Sequence, residues 1–430
     1  MATKWYALLI ACVMMGSCGD SDGALRRKIR NDERFDQVEE LSLNLVRGGF
    51  NAGDSYGEVW IRDYNTFIEL SMEVMPDSLV RKNLDMFFAF QGEDGNIVDG
   101  FIPVEKADLE DADGYEYRFS ELAPGFAAHK NTVETDHETS LVQAVAKYVR
   151  KSGNWEYLGQ KIGDCTVHER LVRAMEFLLN EKTDGRYGLL VGATTADWGD
   201  VQPEHPWGVE IDENTHYAID IYDNAMFVLA LNDMIGLSRS EEERIRWEHL
   251  REEFVDRIRQ HLWDGERRKF LPHIYLDGSP FPADFDERAV YCHGGTAIAC
   301  LAGILPREEV RHAYERMEAN RRAAHAQSIG LTLYPTYPAG SFRNVSMYPY
   351  GYQNGGDWTW FGARMVHALL EAGLLEQAYE ALDPMLDRVI ANGAFHEWYT
   401  PAGEPMGSGM FRGEAGVLFT AIEMMRDAVE

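Results

Sequence analysis

Apolar residues follow the three- and four-residue steps of an amphipathic helix along almost the whole chain. In the stretch EAGLLEQAYEALDPMLDRVI, Gly373 ends one helix and the next helix carries its apolar residues at these steps. The helical segments cover approximately residues 33–47, 62–75, 78–91, 134–151, 166–181, 216–236, 240–263, 291–304, 306–320, 357–373, 375–391 and 408–428. Strand signals are confined to short pieces such as RYGLLVGAT and KFLPHIYLDG, which predict hairpins inserted between helices. The pattern predicts an all-α fold of helices in pairs.

Long connections rich in Gly, Pro, Trp and Asp separate the helical pairs, over residues 92–133, 183–215, 264–290 and 323–356. Structureless loops of this length are uncommon in a compact domain unless they are functional. They recur at intervals of two helices, as expected if all lie on one side of an array of helical hairpins. We therefore predict an (α/α)6 toroid, in which six hairpins close into a ring with long loops and short β-hairpins at one rim. An open solenoid is the alternative.

The first residues are typical of a secretory signal rather than of the fold. Lys4 precedes the apolar run WYALLIACVMMG, which is short for a membrane span, and the small and acidic residues SCGDSD follow. The sequence MGSC resembles the lipobox of bacterial lipoproteins, which implies acylation of Cys18; an ordinary cleaved signal with an incidental cysteine is the alternative. We expect residues 1–18 to be the signal, 19–32 a linker and 33–430 a single domain. The resemblance implies a lipid anchor in the bacterial cell envelope, at its periplasmic face or at the cell surface.

Composition narrows the partners of this domain. The chain of 430 residues is 45% hydrophobic, enough for a large core, and its formal net charge of −30 argues against nucleic acid and against an anionic bilayer surface. Membrane contact is therefore expected only through the anchor. The ten Trp and twenty Tyr suggest aromatic rings at a binding surface. We predict no cofactor and no metal, because no Cys/His pattern or EF-hand spacing is present, although neighbouring carboxylates could still hold calcium.

The stretch WIRDYNTF places Arg62 and Asp63 beside Trp60, where a helix begins. An Arg-Asp pair fixed at a helix start offers several donors and acceptors next to an apolar ring, which suits a sugar with apolar faces and an equator of hydroxyls. The alternative is a purely structural role, in which Asp63 interacts favourably with the dipole at the N-terminus of its own helix.

A carbohydrate site at the rim would need two carboxylates facing each other, one to protonate the leaving oxygen and one to activate water. In VGATTADWGD, Asp197 and Asp200 flank Trp198. Desolvation beside an indole raises the pKa of a carboxyl group, which suits it to act as an acid. The alternative is that both Asp residues cap a turn.

The second carboxylate is predicted in FHEWYTPAGEP, where Glu397 lies between His396 and Trp398. Glu414 is its rival, but its position at the start of the last helix gives it a structural reason to be there. We therefore expect Glu397 to be the base.

A third stretch, MYPYGYQNGGDWTWFGARMVHALLEAG, combines amides and glycines with many aromatic rings. Packing explains the rings alone, whereas a sugar subsite explains both the rings and the amides. The predicted sugar contacts here are Gln353, Asn354, Trp358 and Trp360.

These four motifs, in their order along the chain, resemble those of the six-hairpin (α/α)6 glycosidases. The strongest likeness is to the glucosidase domain of glycogen-debranching enzymes, with similarity to trehalases, processing α-glucosidases and glucoamylases. It covers nearly the whole mature chain and implies an α/α toroid that binds an oligosaccharide or glycoside substrate.

Carried over residue by residue, the resemblance implies that Arg62 and Asp63 hold the cleaved sugar beside Trp60. The Trp-x-Asp acid of the family matches Asp200 rather than Asp197, and the base matches Glu397. The amide-rich loop matches 353–356 and is expected to line the same pocket. The sequence TVETDHETS places Asp136 where the family often has a further sugar contact, although helix capping explains it nearly as well.

The expected activity is inverting hydrolysis of a small α-linked glucoside or a related oligosaccharide. A sugar phosphorylase, which needs an anion pocket in place of the base, is an alternative on the same fold. Another is an epimerase, which would need histidines such as His137, His216 or His396. A non-catalytic surface lipoprotein that captures glycans is a further alternative. We expect the chain to be without the N-terminal β-sandwich of many relatives, and its acidic loop 105–122 has no recognisable counterpart.

Overall fold

The computed structural model describes residues 23–107, 117–130, 133–206 and 211–430. Residues 23–30 are helical, and twelve longer helices follow them in the described part of the chain. They are α1 (Arg34–Val46), α2 (Ile61–Val74), α3 (Asp77–Ala89), α4 (Asp136–Ser152), α5 (Val167–Glu181), α6 (Ile221–Leu237), α7 (Glu241–His261), α8 (His293–Leu301), α9 (Arg307–Ala323), α10 (Thr359–Glu371), α11 (Leu375–Asn392) and α12 (Arg412–Asp427). The twelve helical segments predicted from the sequence correspond to these helices one by one.

The even-numbered helices form a closed inner ring. Each of α2, α4, α6, α8 and α10 packs against the next even-numbered helix, and α12 returns to pack against α2. The odd-numbered helices form an outer layer, each packed against one or two inner helices. This closure confirms the (α/α)6 toroid and excludes the open solenoid.

Sequence patterning explains which helices lie inside. The inner helix α6 is apolar on nearly every face, and most of its residues are buried between neighbouring helices. The outer helix α7 is strongly charged, and only Trp247, Phe254 and Ile258 are buried on it, at steps that place them on one face. A helix enclosed on all sides needs apolar residues all round, whereas an outer helix needs only a stripe.

Short strands lie mostly in the segments that lead into the inner helices, at the rim formed by the N-terminal ends of these helices, apart from a pair within residues 161–166 that precedes the outer helix α5. They are β1 (Val59–Trp60), β2 (Gly100–Pro103), β3 (Tyr117–Arg118), β4 (Phe126–His129), β5 (Lys161–Ile162), β6 (Cys165–Thr166), β7 (Gly192–Ala193), β8 (Tyr217–Ile219), β9 (Trp263–Asp264), β10 (Lys269–Phe270), β11 (Ile274–Tyr275), β12 (Tyr291–Cys292), β13 (Leu333–Tyr334), β14 (His396–Tyr399) and β15 (Pro405–Gly409). One sheet has the order β1-β2-β4-β3 and another β11-β8-β7, and the remaining strands form antiparallel pairs. In register, Trp60 lies opposite Gly100, and Trp398 lies opposite Met406.

The largest differences between predicted and observed helix starts concern two helices, which begin later than predicted. The last starts at Arg412 rather than at 408, because 405–409 pairs with β14. The helix predicted from 216 starts at Ile221, because β8 precedes it. In both cases the residues before the helix form a strand because they pair with another segment of the chain, which the helical pattern of the local sequence does not reveal.

The N-terminal predictions fall partly outside the described residues. The predicted signal and Cys18 lie there, as do residues 108–116 of the acidic loop. Within the predicted linker 19–32, residues 23–30 are helical, and the Arg30 guanidinium donates to the Val429 carbonyl. None of the helices in the described ranges is both long and apolar enough to cross a membrane.

Candidate active site

A cavity of about 510 Å³ lies at the rim formed by the N-terminal ends of the inner helices. Its lining comes from the segments that precede or begin α2, α4, α6, α10 and α12, so residues distant in sequence meet there. The lining residues are Ala52, Tyr56, Glu58, Trp60, Arg62, Asp63, Asp99, His137, Trp198, Asp200, Val201, Ser346, Tyr352, Gln353, Trp358, Trp360, Glu397, Trp398, Met406, Gly407 and Phe411. Both predicted catalytic carboxylates are among them.

Arg62 lies in the first turn of α2 and is anchored to the start of α4. Its Nε donates to Asp136 Oδ2 at 2.6 Å and its Nη2 to Oδ1 at 3.2 Å, and its guanidinium also forms an ion pair with Glu134. Tyr222 donates a further hydrogen bond to Asp136 Oδ2 at 2.8 Å. The structure thus places Asp136 behind Arg62, away from the cavity lining, where it fixes the guanidinium.

Asp63 lines the cavity beside Arg62. Burial raises the pKa of Asp63 to about 7, the adjacent guanidinium of Arg62 opposes this rise, and the negative charge of Glu397 adds to it. The dominance of burial means that Asp63 can carry a proton near neutral pH, so it can serve sugar hydroxyls as a donor or as an acceptor.

The geometry separates the two candidates for the acid. Asp197 is buried and accepts hydrogen bonds from the backbone N–H groups of Gly294 and Gly295 at the start of α8. Its burial raises its pKa to about 7. Asp200 instead lines the cavity and accepts a hydrogen bond from Gln353 Nε2 at 3.2 Å. Asp197 therefore has a structural partner, whereas Asp200 faces the space a substrate would occupy.

The glycine between Trp198 and Asp200 permits this arrangement. Gly199 has a φ of +102°, and a Cβ added there would come within 2.3 Å of the Gln353 amide. Both the left-handed backbone and the close approach require glycine.

Glu397 lies on β14 and reaches the cavity from a segment almost two hundred residues after Asp200. Tyr56 Oη donates to its Oε1 at 2.9 Å, and the Ser408 backbone N–H donates to its Oε2 at 2.8 Å. Burial raises the pKa of Glu397 to about 7, the charge of Asp200 contributes in the same direction, and the two hydrogen bonds oppose the rise. Glu397 is thus a fixed carboxyl group that can exchange a proton near neutral pH.

Glu414, the rival of Glu397, lies outside the cavity lining. Its carboxylate accepts hydrogen bonds from Thr359 Oγ1, from the His396 backbone N–H and from Tyr399 Oη. These contacts connect the starts of α10 and α12 to β14. Glu414 therefore has a structural role, in keeping with its position at a helix start.

Indole rings form a buried wall of the cavity. The ring centroids of Trp198 and Trp358 are 4.8 Å apart, and those of Trp198 and Trp360 are 5.3 Å apart, both in edge-to-face geometry. Trp198 Nε1, Trp360 Nε1 and Gln353 Oε1 are buried here without a hydrogen-bond partner among the described residues. Two donors and one acceptor of this kind suit the hydroxyls of an uncharged ligand.

Asn354 is not part of the lining, although its neighbour Gln353 is. Its Oδ1 accepts from the Tyr337 backbone N–H at 2.8 Å, and its Nδ2 donates to the carbonyls of Tyr337 and Met347. The amide therefore holds the backbone of the loop that presents Gln353.

Several lining residues were missing from the predicted site, notably Tyr56, Glu58, Asp99 and Tyr352. Tyr56 and Glu58 precede Trp60 at two-residue steps, which is the spacing of side chains on one face of an extended segment. That spacing was an available signal. Of the three histidines considered for an epimerase, His137 lines the cavity, while His216 pairs with Glu204.

A metal ion has one candidate set of ligands in the described part of the chain. Glu134, Asp136 and His137 offer ligand atoms within 4.8 Å of one another. The Arg62 guanidinium already contacts both carboxylates. A bound cation would have to compete with this charge, so the cluster fits an arginine better than a metal.

The site therefore combines two carboxylates from distant segments, a fixed Arg-Asp pair and an aromatic wall. Two carboxyl groups that line one cavity can act as acid and base on a glycosidic bond held between them.

Comparison with solved structures shows the same fold in carbohydrate-active enzymes. The GH63 mannosylglycerate hydrolase from Thermus thermophilus, in complex with glucose, is 17% identical with a TM-score of 0.62, and the match covers 89% of this chain and 99% of that chain. The same hydrolase in complex with Tris and D-glycerate is 16% identical with a TM-score of 0.59, covering 90% of this chain and 99% of that one.

A rhamnosidase from Klebsiella oxytoca with rhamnose bound is 14% identical with a TM-score of 0.59, and the match covers 91% of this chain but only 64% of that chain. At these identities the likeness concerns the fold.

Comparison with curated proteins gives no significant match. Residues 40–404 match the sequence model described as the glycosyl hydrolase 94 superfamily, catalytic domain. Because this match spans most of the chain, the protein belongs to the glycosyl hydrolase 94 superfamily.

Proposed function

We propose that the protein hydrolyses a small α-linked glucoside, or a related oligosaccharide, by single displacement with inversion. Asp200 protonates the leaving oxygen, Glu397 activates water, and Arg62 and Asp63 orient the sugar ring. The proton taken from water by Glu397 is returned to solvent after the step, and Asp200 regains its proton.

The observation that carries this proposal is the meeting of Asp200 and Glu397 in the lining of one cavity, from which Asp197 and Glu414 are absent. Each candidate pair thus contains one carboxyl group that faces the substrate space and one that holds the fold.

The superfamily includes phosphorylases, so phosphate is the rival of water as the acceptor. The charges of the cavity favour water. Among the described lining residues, Arg62 is the one with a permanent positive charge, and Glu134 and Asp136 already neutralise it. A phosphate dianion would therefore meet carboxylates without a free cation from the described lining to offset them.

The sugar and the linkage are inferred from likeness. The motifs resemble those of enzymes that act on α-linked glucose, and a fold neighbour was solved in complex with glucose. We also propose a lipid anchor at Cys18 in a bacterial envelope, on the basis of the MGSC sequence.

The proposal is tested by proton NMR of anomeric signals while the signal-free protein acts on a panel of α- and β-linked disaccharides, with and without orthophosphate. We expect the β anomer of glucose to appear first from an α-linked substrate, at a rate independent of phosphate and lost in Asp200→Asn and Glu397→Gln. A sugar phosphate formed only with orthophosphate would establish phosphorolysis instead. Binding without turnover, unchanged in both variants, would support glycan capture and refute the proposal.

A further inference from the structure

The cavity is strongly acidic for a site that binds sugars. Its described lining includes the carboxyl groups of Glu58, Asp63, Asp99, Asp200 and Glu397, against one guanidinium. Asp99 is paired with His129, whose pKa its charge helps to raise. The Glu58 carboxylate accepts a hydrogen bond from the Gly57 backbone N–H at 3.1 Å and forms no ion pair among the described residues, and its charge also helps to raise the pKa of His129.

Glu58 belongs to the partly exposed portion of the cavity lining. It is half-buried, and its chain neighbours Asp54, Ser55 and Gly57 are exposed. By contrast, the unpartnered donors and acceptor of the described cavity wall belong to residues that are almost fully buried, namely Trp198, Trp360 and Gln353. A glycoside whose sugar meets these buried groups would extend its leaving group towards the partly exposed lining, to which Glu58 belongs.

Resting on the proposed function, we infer that the site accepts glycosides whose leaving group is uncharged or carries an amine, that it rejects leaving groups with a carboxylate, phosphate or sulfate, and that Glu58 sets this preference.

The physical reason is the charge of this partly exposed lining. An ammonium group near Glu58 gains attraction in a partly dehydrated site, whereas a carboxylate near it is repelled. The formal net charge of −30 on the chain acts in the same direction over longer distances. Glycosidic oxygens and sugar hydroxyls are neutral, so the floor of the cavity makes no such distinction.

Binding of three non-hydrolysable thioglycosides tests the inference without relying on turnover. The probes are the 2-aminoethyl, 2-hydroxyethyl and carboxymethyl 1-thio-α-D-glucosides, and the readout is the change in tryptophan fluorescence on titration. At low ionic strength we expect the aminoethyl probe to bind roughly tenfold more tightly than the carboxymethyl probe, with the hydroxyethyl probe between them. Added salt should reduce the difference.

In Glu58→Gln the ratio between the aminoethyl and carboxymethyl affinities should fall by roughly threefold. The control is Glu252→Gln, which removes one charge from the exposed surface of α7 and should leave the ratio unchanged. Equal affinities for the three probes, tighter binding of the carboxymethyl probe, no binding of any probe, or an unchanged ratio in Glu58→Gln would each overturn the inference. Because the probes cannot be cleaved, failure of hydrolysis in the NMR assay is a separate result that bears on the proposed function.

Discussion

At the scale of single residues, the protonation of Glu397 offers a direct check of its role. Burial and the charge of Asp200 raise its pKa to about 7. A general base must be ionised, so kcat/KM should rise about tenfold per pH unit as the pH increases towards 7. The measurement is kcat/KM for an alkyl glucoside between about pH 5 and pH 9. A value that instead falls as pH rises through 7 would make Glu397 the acid.

Tyr56 is expected to tune this carboxyl group. Its hydroxyl donates to Glu397 Oε1 at 2.9 Å, and this hydrogen bond lowers the pKa of Glu397. In Tyr56→Phe this donor is lost, so the pKa of Glu397 should rise and the acidic limb of the kcat/KM profile should move to higher pH. The loss of kcat/KM should therefore be larger below pH 7 than above it. An unmoved limb would show that the hydroxyl does not act on the base. Phe119→Tyr, at an exposed position, is a control for the general effect of a phenol.

How far the site could be predicted depended on whether residues lay within recognisable motifs. Trp60, Arg62, Asp200 and Glu397 sit in aromatic and glycine-rich stretches, and the structure brings all of them to one cavity. Asn354 resembles them in sequence, but its amide is needed by the loop backbone. The sequence does not distinguish a side chain that hydrogen-bonds to the loop backbone from one that hydrogen-bonds to a ligand, because this depends on how the loop folds.

At the scale of elements, a buried ion pair ties α11 to the loop before α10. Arg388 Nη1 donates to Asp357 Oδ2 at 2.8 Å, its Nη2 donates to Thr359 Oγ1 at 2.7 Å, and its guanidinium lies over the Tyr399 ring. Arg388→Met leaves the buried Asp357 without its cation, so we expect the free energy of unfolding to fall by about 3–5 kcal/mol.

Urea unfolding of the Arg388→Met protein provides the measurement, with Arg322→Met as its matched control. Arg322 is exposed and pairs with Glu318 on the surface of α9, so its loss should cost about 1 kcal/mol or less. Equal effects of the two substitutions would refute the structural importance of the buried pair.

Helix positions were predictable because their apolar periodicity is local, as α11 and α7 illustrate. The hairpin of β14 and β15 was missed because PMGSG has no alternating pattern, and its strand character arises from pairing with HEWY. The start of α12 was therefore placed four residues too early, since Ser408 and Gly409 were assigned to the helix.

At the scale of the whole molecule, the ring closes where α12 meets α2. Gly416 allows this approach, because a Cβ added there would lie 2.3 Å from the Thr66 carbonyl oxygen and 2.6 Å from Phe67 Cα. These backbone atoms cannot rotate away. Gly416→Ala should therefore destabilise the protein by about 1–3 kcal/mol, although alanine normally favours a helix.

Thermal and urea unfolding of the Gly416→Ala protein measure this loss of stability at the contact between α12 and α2. The control is Gly185→Ala, where an added Cβ meets nothing within 4 Å and little change is expected. A stabilised Gly416→Ala protein would show that the two helices do not approach as closely as described.

The assignment of the two carboxyl groups is the central claim, and it is tested most directly by the rates of Asp200→Asn and Glu397→Gln on two substrates. Methyl α-glucoside needs a proton on its leaving group, whereas α-glucosyl fluoride needs little or none. We predict that Asp200→Asn loses roughly 10²–10⁴-fold on the methyl glucoside but far less on the fluoride, and that Glu397→Gln loses on both. Equal losses on both substrates in Asp200→Asn, or retention of fluoride hydrolysis only in Glu397→Gln, would contradict the account.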